Sequence, residues 1–168
     1  MRPPYRKTIF SPCRQYRYTL WRELNPSMFA VAKGYVMFIG LNPSTADETA
    51  DDPTIRRCIG YTKAWGHSAL CMTNLFAYRA TDPRAMKAQI NPVGPEGDRW
   101  LVECAREASV VVAAWGTHGG HNDRDREVLE ILRWRQLSCL GVTKAGYPKH
   151  PLYLPAELKP TTFKEATP

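Results

Sequence analysis

The stretch Tyr35-Val-Met-Phe-Ile-Gly-Leu-Asn42-Pro43-Ser44-Thr45-Ala46-Asp47 decides the reading of the fold. Its first half is continuously apolar, and it ends in a polar, turn-forming run. A strand that does not alternate polar and apolar residues is covered on both faces, as in a parallel sheet flanked by helices. Three runs of the same kind follow, at 68–75, 109–116 and 136–143. Helical patterns fill the intervals. Asp52-Pro53 supplies an N-cap with proline at the first helical position, and Ile55, Cys58, Ile59 and Tyr61 continue at helical spacing. Asp82-Pro83 repeats that start signal for a shorter helix ending before Pro92. Trp100, Leu101, Cys104, Ala105 and Ala108 form one apolar stripe, and Val128, Leu129, Ile131 and Leu132 form another.

Alternation of this kind builds βαβ units with right-handed crossovers. The expected fold is α/β: a three-layer sandwich with a central four-stranded parallel sheet, plus a basic N-terminal β-hairpin. A single domain is expected over residues 1–156, with 1–34 its basic arm. Residues 157–168 are polar and contain proline, and read as a flexible tail.

The composition sets the class. Of 168 residues, 43% are hydrophobic and 23% charged, enough apolar surface for a packed core and against wholesale disorder. Mean hydropathy is −0.42, and no run approaches the ~20 apolar residues of a membrane span. The first residues lack the apolar centre of a secretory signal. The five cysteines form no C-x-x-C pair, and no histidine stands at ligand spacing from one, so neither a disulfide framework nor a zinc ribbon is expected. These features fit a soluble cytoplasmic monomer with no metal, no cofactor and no membrane partner. No G-x-x-x-x-G-K-[ST] loop argues for ATP use.

The net charge of +7 is unevenly spread. Residues 1–35 carry seven basic side chains against one acidic, and the rest of the chain is nearly balanced. Tyr5, Phe10, Tyr16, Tyr18 and Trp21 are interleaved with those cations. Cations for phosphates and rings for bases suit a nucleic-acid partner, although a hairpin with a charged outer face accounts for the same pattern.

In an open parallel sheet, ligands bind beyond the carboxyl ends of the strands. All four ends here are polar or glycine-rich: Asn42 to Asp47, Thr73 to Arg79, Trp115 to His121, and Thr143-Lys144 through Lys149-His150 to Tyr153. Each piece also has a plain structural reading. Asn42-Pro43 suits a turn, Asn74 a local backbone contact, and His150 a solvated loop. His118 and His121 lack a carboxylate partner for a metal, while Asp51, Asp52, Asp123 and Asp125 suit helix N-termini. Cys71 and Cys139 suit the core.

Taken in order, the clusters resemble the uracil-DNA glycosylase superfamily over roughly residues 35–154. Gly40-Leu-Asn42-Pro43-Ser44 resembles the G-x-N-P-G water-activating loop of its mismatch-specific branch. Leu70 to Arg79 resembles the strand whose terminal asparagine reads a flipped base, Val110 to Gly116 the apolar strand ending in Trp-Gly, and His150-Pro151-Leu152-Tyr153 the H-P-S-P-L wedge loop. The N-P-S-T-A-D and P-K-H-P-L-Y motifs also resemble a small bacterial and phage family of unknown function. Ser44 stands where the superfamily has glycine, and the fourth motif lacks its serine and second proline.

The resemblance implies a uracil-DNA glycosylase-like sheet and a monofunctional DNA glycosylase that leaves an abasic site. Asn42 and His150 would be catalytic. Asn74, Phe76, Leu41, Pro43 and Ser44 would hold the base, with Phe76, Tyr61 and Trp65 as stacking candidates. Arg14, Arg17, Arg56, Arg57, Lys144 and Lys149 would contact DNA phosphates, and Leu152 or Tyr153 would fill the gap left by the flipped base. Divergence from the motifs points to a modified pyrimidine, such as a hydroxymethylated or glucosylated base of phage DNA, and hence to anti-phage defence. The alternatives are a non-catalytic reader of modified bases and a nucleoside or nucleotide hydrolase.

Overall fold

The computed structural model describes residues 6–24 and 34–168. Seven strands form one mixed sheet: β1 (Arg6–Phe10), β2 (Arg17–Glu23), β3 (Tyr35–Gly40), β4 (Ala69–Asn74), β5 (Val110–Ala113), β6 (Leu137–Cys139) and β7 (Thr161–Lys164). Their spatial order is β1-β2-β4-β3-β5-β6-β7. The pairs β4–β3, β3–β5 and β5–β6 are parallel, whereas β1–β2, β2–β4 and β6–β7 are antiparallel. The α/β class stands: four parallel strands, β4-β3-β5-β6, lie at the centre, and the expected four-stranded sheet is corrected to seven strands of mixed direction by antiparallel strands on both sides.

Both additions have a physical reason. A strand ending a sheet exposes unpaired N–H and C=O groups, and pairing removes them. At one side the hairpin of β1 and β2 docks on β4, so it is part of the sheet rather than an appendage. At the other, β7 covers β6. Residues 157–168, expected as a flexible tail, therefore supply a strand, and Phe163 sets its ring edge-on to Trp115 at 6.0 Å. Residues 1–5 and 25–33 of the expected N-terminal arm lie outside the described residues.

Every residue of β3 and of β4 is buried. Alternate side chains of β3 feed two cores. Val36 and Phe38 pack with Ile55, Cys58 and Tyr61 of α1 (Pro53–Ala64) on one face. Met37 and Ile39 pack on the other with Leu101 and Cys104 of α3 (Gly97–Glu107) and Val128 of α4 (Arg124–Ile131). A short α2 (Pro83–Lys87) follows β4. The caps form as the sequence requires: Asp52 accepts from Ile55 N–H at 2.9 Å and Asp82 from Arg84 N–H at 2.8 Å, each ahead of a proline. Gly66, at φ +78°, closes α1 in the left-handed conformation that glycine adopts without strain. Among the described residues, no helix is long and apolar enough to cross a membrane.

Chain direction places the ligand crevice. From β3 the chain crosses to β4 on one side, then returns past β3 to β5 on the other. The carboxyl ends of β3 and β5 thus flank a topological switch point.

Candidate functional site

A cavity of about 650 Å³ opens at that switch point. It is lined from the end of β3 by Gly40, Leu41, Asn42 and Ser44, from β4 by Asn74, and from the end of β5 by Trp115, Gly116 and His118. Asp52 to Ile55 at the start of α1 close one wall, and Thr143, Lys149, His150, Leu152 and Leu154 another.

The two asparagines have determined orientations. Asn42 Nδ2 donates to Ala80 O at 2.8 Å and to Pro43 O at 3.1 Å. Carbonyls only accept, so the nitrogen faces them and Oδ1 is left as a free acceptor among the described residues. Asn74 meets the opposite kind of partner: Arg17 Nη2 donates to its Oδ1 at 3.4 Å. A guanidinium only donates, so Nδ2 is the atom turned away. A Cβ on Gly40 would come within 2.8 Å of that Nδ2, which is why glycine ends β3 here.

Arg17 is 2% exposed and lines the cavity from beneath. Its Nη1 donates to Ala46 O at 2.9 Å, its Nε has no partner, and no carboxylate pairs with it among the described residues. Burial pulls its pKa down to about 10, against the raising pull of Asp52, so the side chain keeps its charge at neutral pH. On the opposite wall, Leu152 N–H donates to His150 Nδ1 at 3.2 Å. The neutral ring therefore carries its proton on Nε2. Desolvation lowers the pKa of His150, with Asp52 opposing. At the mouth, Lys87 Nζ lies 3.0 Å from His118 Nδ1.

The loop between β3 and α1 is gripped by arginines from the hairpin. Arg22 donates to Asp51 at 2.8 Å and to the carbonyls of Asp47 and Ala50. Arg6 reaches Thr49 O at 2.9 Å and Asp51 at 3.1 Å, and Arg14 makes a two-pronged pair with Glu48 at 2.8 and 3.1 Å. Outside the cavity, Pro53, Arg56, Arg57, Leu152 and Tyr153 line a shallow groove. Tyr153 is 98% exposed at φ +64°. A bulky residue held in that region is strained, at a cost of about 1–2 kcal/mol, and such strain gathers at functional positions.

A family described as "Protein of unknown function (DUF1643)" matches residues 17–152. The chain belongs to the DUF1643 family. The DUF1643 span takes in Arg17, Asn42, Asp52, Asn74 and His150, and leaves β1, Tyr153 and β7 outside it. No curated protein and no solved structure matches this chain.

Within the DUF1643 segment the cavity gathers Leu41, Asn42, Ser44, Asn74, Lys149, His150 and Leu152. Arg17, expected on DNA phosphates, also lines the cavity, but it is buried and donates to Ala46 O and Asn74 Oδ1. Other expected residues lie elsewhere. Arg14 is on the surface but engaged by Glu48 and lies over the Phe10 ring at 4.0 Å. Phe76 is 1% exposed and packs against His121 at 5.7 Å, so it does not reach a base. Pro43 is buried and serves through its carbonyl. Tyr61 and Trp65 stack on each other at 5.5 Å and bond Pro155 O and Leu158 O. Lys144 sits exposed on a turn, apart from cavity and groove.

The sequence reading gave no site role to Trp115 or to Asp52. Among the described residues, Trp115 is the wall's one large aromatic, and its buried Nε1 has no partner there. Asp52 is the one carboxylate among the lining residues. Both stand at a strand end or the helix start beside it, the same signal that found Asn42. Among the described residues, no three His, Cys, Asp or Glu side chains cluster to hold a metal ion.

Proposed function

We propose that this protein is a monofunctional DNA glycosylase that hydrolyses the N-glycosidic bond of a flipped, modified pyrimidine. One observation carries the reading: Asn42 lines the cavity with its amide nitrogen tied back and its oxygen free among the described residues, and Asn74 and His150 line the same cavity. Departure of a base builds positive charge on the sugar and negative charge on the base, so water must be held on one side and donors supplied on the other. Asn42 Oδ1 orients the water. Asn74 Nδ2 meets an acceptor on the base edge, His150 Nε2–H donates to the leaving base, and the Arg17 charge beneath Asn74 favours the anion. The motif resemblance to uracil-DNA glycosylases supports the same assignment. The groove of Arg56 and Arg57 beside Tyr153 suits phosphates and the gap in the stack, and Lys149 lines the cavity itself. A modified base of phage DNA as substrate makes the role anti-phage defence.

The test is a panel of duplex DNAs carrying uracil, mismatched thymine, hydroxymethylated or glucosylated pyrimidines, assayed for alkali-labile abasic sites. Asn42→Ala is expected to slow single-turnover base release by about 100-fold. An unchanged rate removes Asn42 from the mechanism, and salt-sensitive binding with no release makes the protein a reader.

A nucleoside or nucleotide hydrolase is the second reading, favoured by the inward engagement of Arg6, Arg14, Arg17 and Arg22, which withdraws cations from any DNA footprint. It expects turnover of free nucleosides with little dependence on salt.

A further inference from the structure

We propose that Asp52 is the catalytic base that takes the proton of the attacking water, a role that rests on the glycosylase reading. The neighbouring aspartates have different fates. Asp51 is spent on Arg22 and Arg6. Asp52 uses only Oδ1, which accepts from Ile55 N–H, while Oδ2 takes no hydrogen bond or ion pair among the described residues. That free oxygen belongs to the one carboxylate that, among the described residues, lines the cavity that also holds Asn42 and His150.

The chemistry needs such a group. A water that bonds to the anomeric carbon must lose a proton, and the neutral amide of Asn42 orients water without accepting one. In the proposed step the water oxygen forms a bond to C1′ as the C1′–N bond breaks. The bonding pair leaves with the base as an anion, the proton passes to Asp52 Oδ2, and solvent returns it to the base. The charged and titratable groups that interact with Asp52 are Arg17 from β2, Cys58 from α1 and His150 from the segment after β6; Asp51 and Arg56 flank it in sequence, and Lys149 and His118 line the same cavity.

Its second role in capping α1 makes a clean test possible. Asn and Ser cap helices about as well as Asp, whereas Ala does not. Asp52→Asn and Asp52→Ser therefore remove the base and keep the helix start, and Asp52→Ala removes both. Each is assayed on the panel DNA that the parent cleaves fastest, with DNA affinity and thermal midpoint measured alongside. Asp52→Asn and Asp52→Ser are expected to slow single-turnover release by about 100-fold or more and to lose the acid limb of the pH–rate profile, at parental affinity and midpoint. Asp52→Ala adds a fall in midpoint.

Release by Asp52→Asn and Asp52→Ser within about threefold of the parent, with the acid limb intact, overturns the proposal and leaves the glycosylase reading standing. Loss that tracks weakened DNA binding or a lowered midpoint in those two variants also overturns it, in favour of a structural role. A parent that releases no base from any panel DNA overturns both.

Discussion

The arginines of the N-terminal hairpin and those at the start of α1 answer the same composition in opposite ways. Arg6, Arg14, Arg17 and Arg22 turn toward the loop between β3 and α1 and spend their donors on its carbonyls and carboxylates. Arg56 and Arg57 line an open groove beside the exposed Tyr153, and Arg56 gives one donor to Asp51 O. The first set accounts for most of the basic excess of the chain, and it holds the loop that joins Asn42 to Asp52. The second set, with Lys149, is what the proposed DNA partner would meet. A count of charges thus measures how many cations a protein carries, not how many it offers to a partner.

Three experiments can break or sharpen that contrast. The largest effect is expected at Asp51, whose loss leaves the guanidinium of Arg22, with a side chain only 2% exposed, without its carboxylate. Asp51→Ala should cost about 3 kcal/mol in urea unfolding. A variant as stable as the parent means that the clamp does not hold the loop.

A middle effect concerns DNA. Replacing Arg56 and Arg57 with alanine should reduce the slope of log affinity against log salt by about 2, one unit for each lost phosphate contact. Replacing Arg6 and Arg14 instead should leave the slope where it was. Equal changes in the two pairs would erase the distinction between inward and outward cations.

The smallest effect lies in the loop itself. The backbone N–H groups of Ala50 and Thr49 hold the Asp47 carboxyl down at about 2, against an ordinary value of 3.8. A carboxyl lowered on folding stabilises the native state above its unfolded value and loses that contribution as pH falls through the folded one. The stability gap between the parent and Asp47→Ala should therefore be full above about pH 4 and close toward pH 2. A gap that does not change over that range contradicts the assignment.

How much could be read from the chain depends on how local each signal is. The runs that became β3, β4, β5 and β6 were legible because an unbroken apolar stretch reports burial on both faces. The starts of α1 and α2 were legible because an aspartate followed by proline acts within three residues. Asn42, Asn74 and His150 reached one cavity because strand ends in a parallel arrangement converge. Phe76 sits two residues beyond Asn74, yet the turn after β4 carries it into the core beside His121. Asp51 and Asp52 are neighbours with the same chemistry, and only the position of Arg22 separates an ion pair from a free carboxylate oxygen.

By itself, the sequence determined the interior strands, the helix starts and the end of the sheet where polar groups collect, since each follows from the covalent order of nearby residues. The tertiary structure alone decided the seventh strand, the inward turn of the hairpin arginines and the burial of Arg17. Those depend on partners far along the chain: Thr161 lies against Cys139 across 22 residues, and Arg22 meets Asp51 across 29. Whether a side chain faces solvent or a carbonyl is settled by what fills the space beside it, and folding brings that neighbour from elsewhere in the sequence.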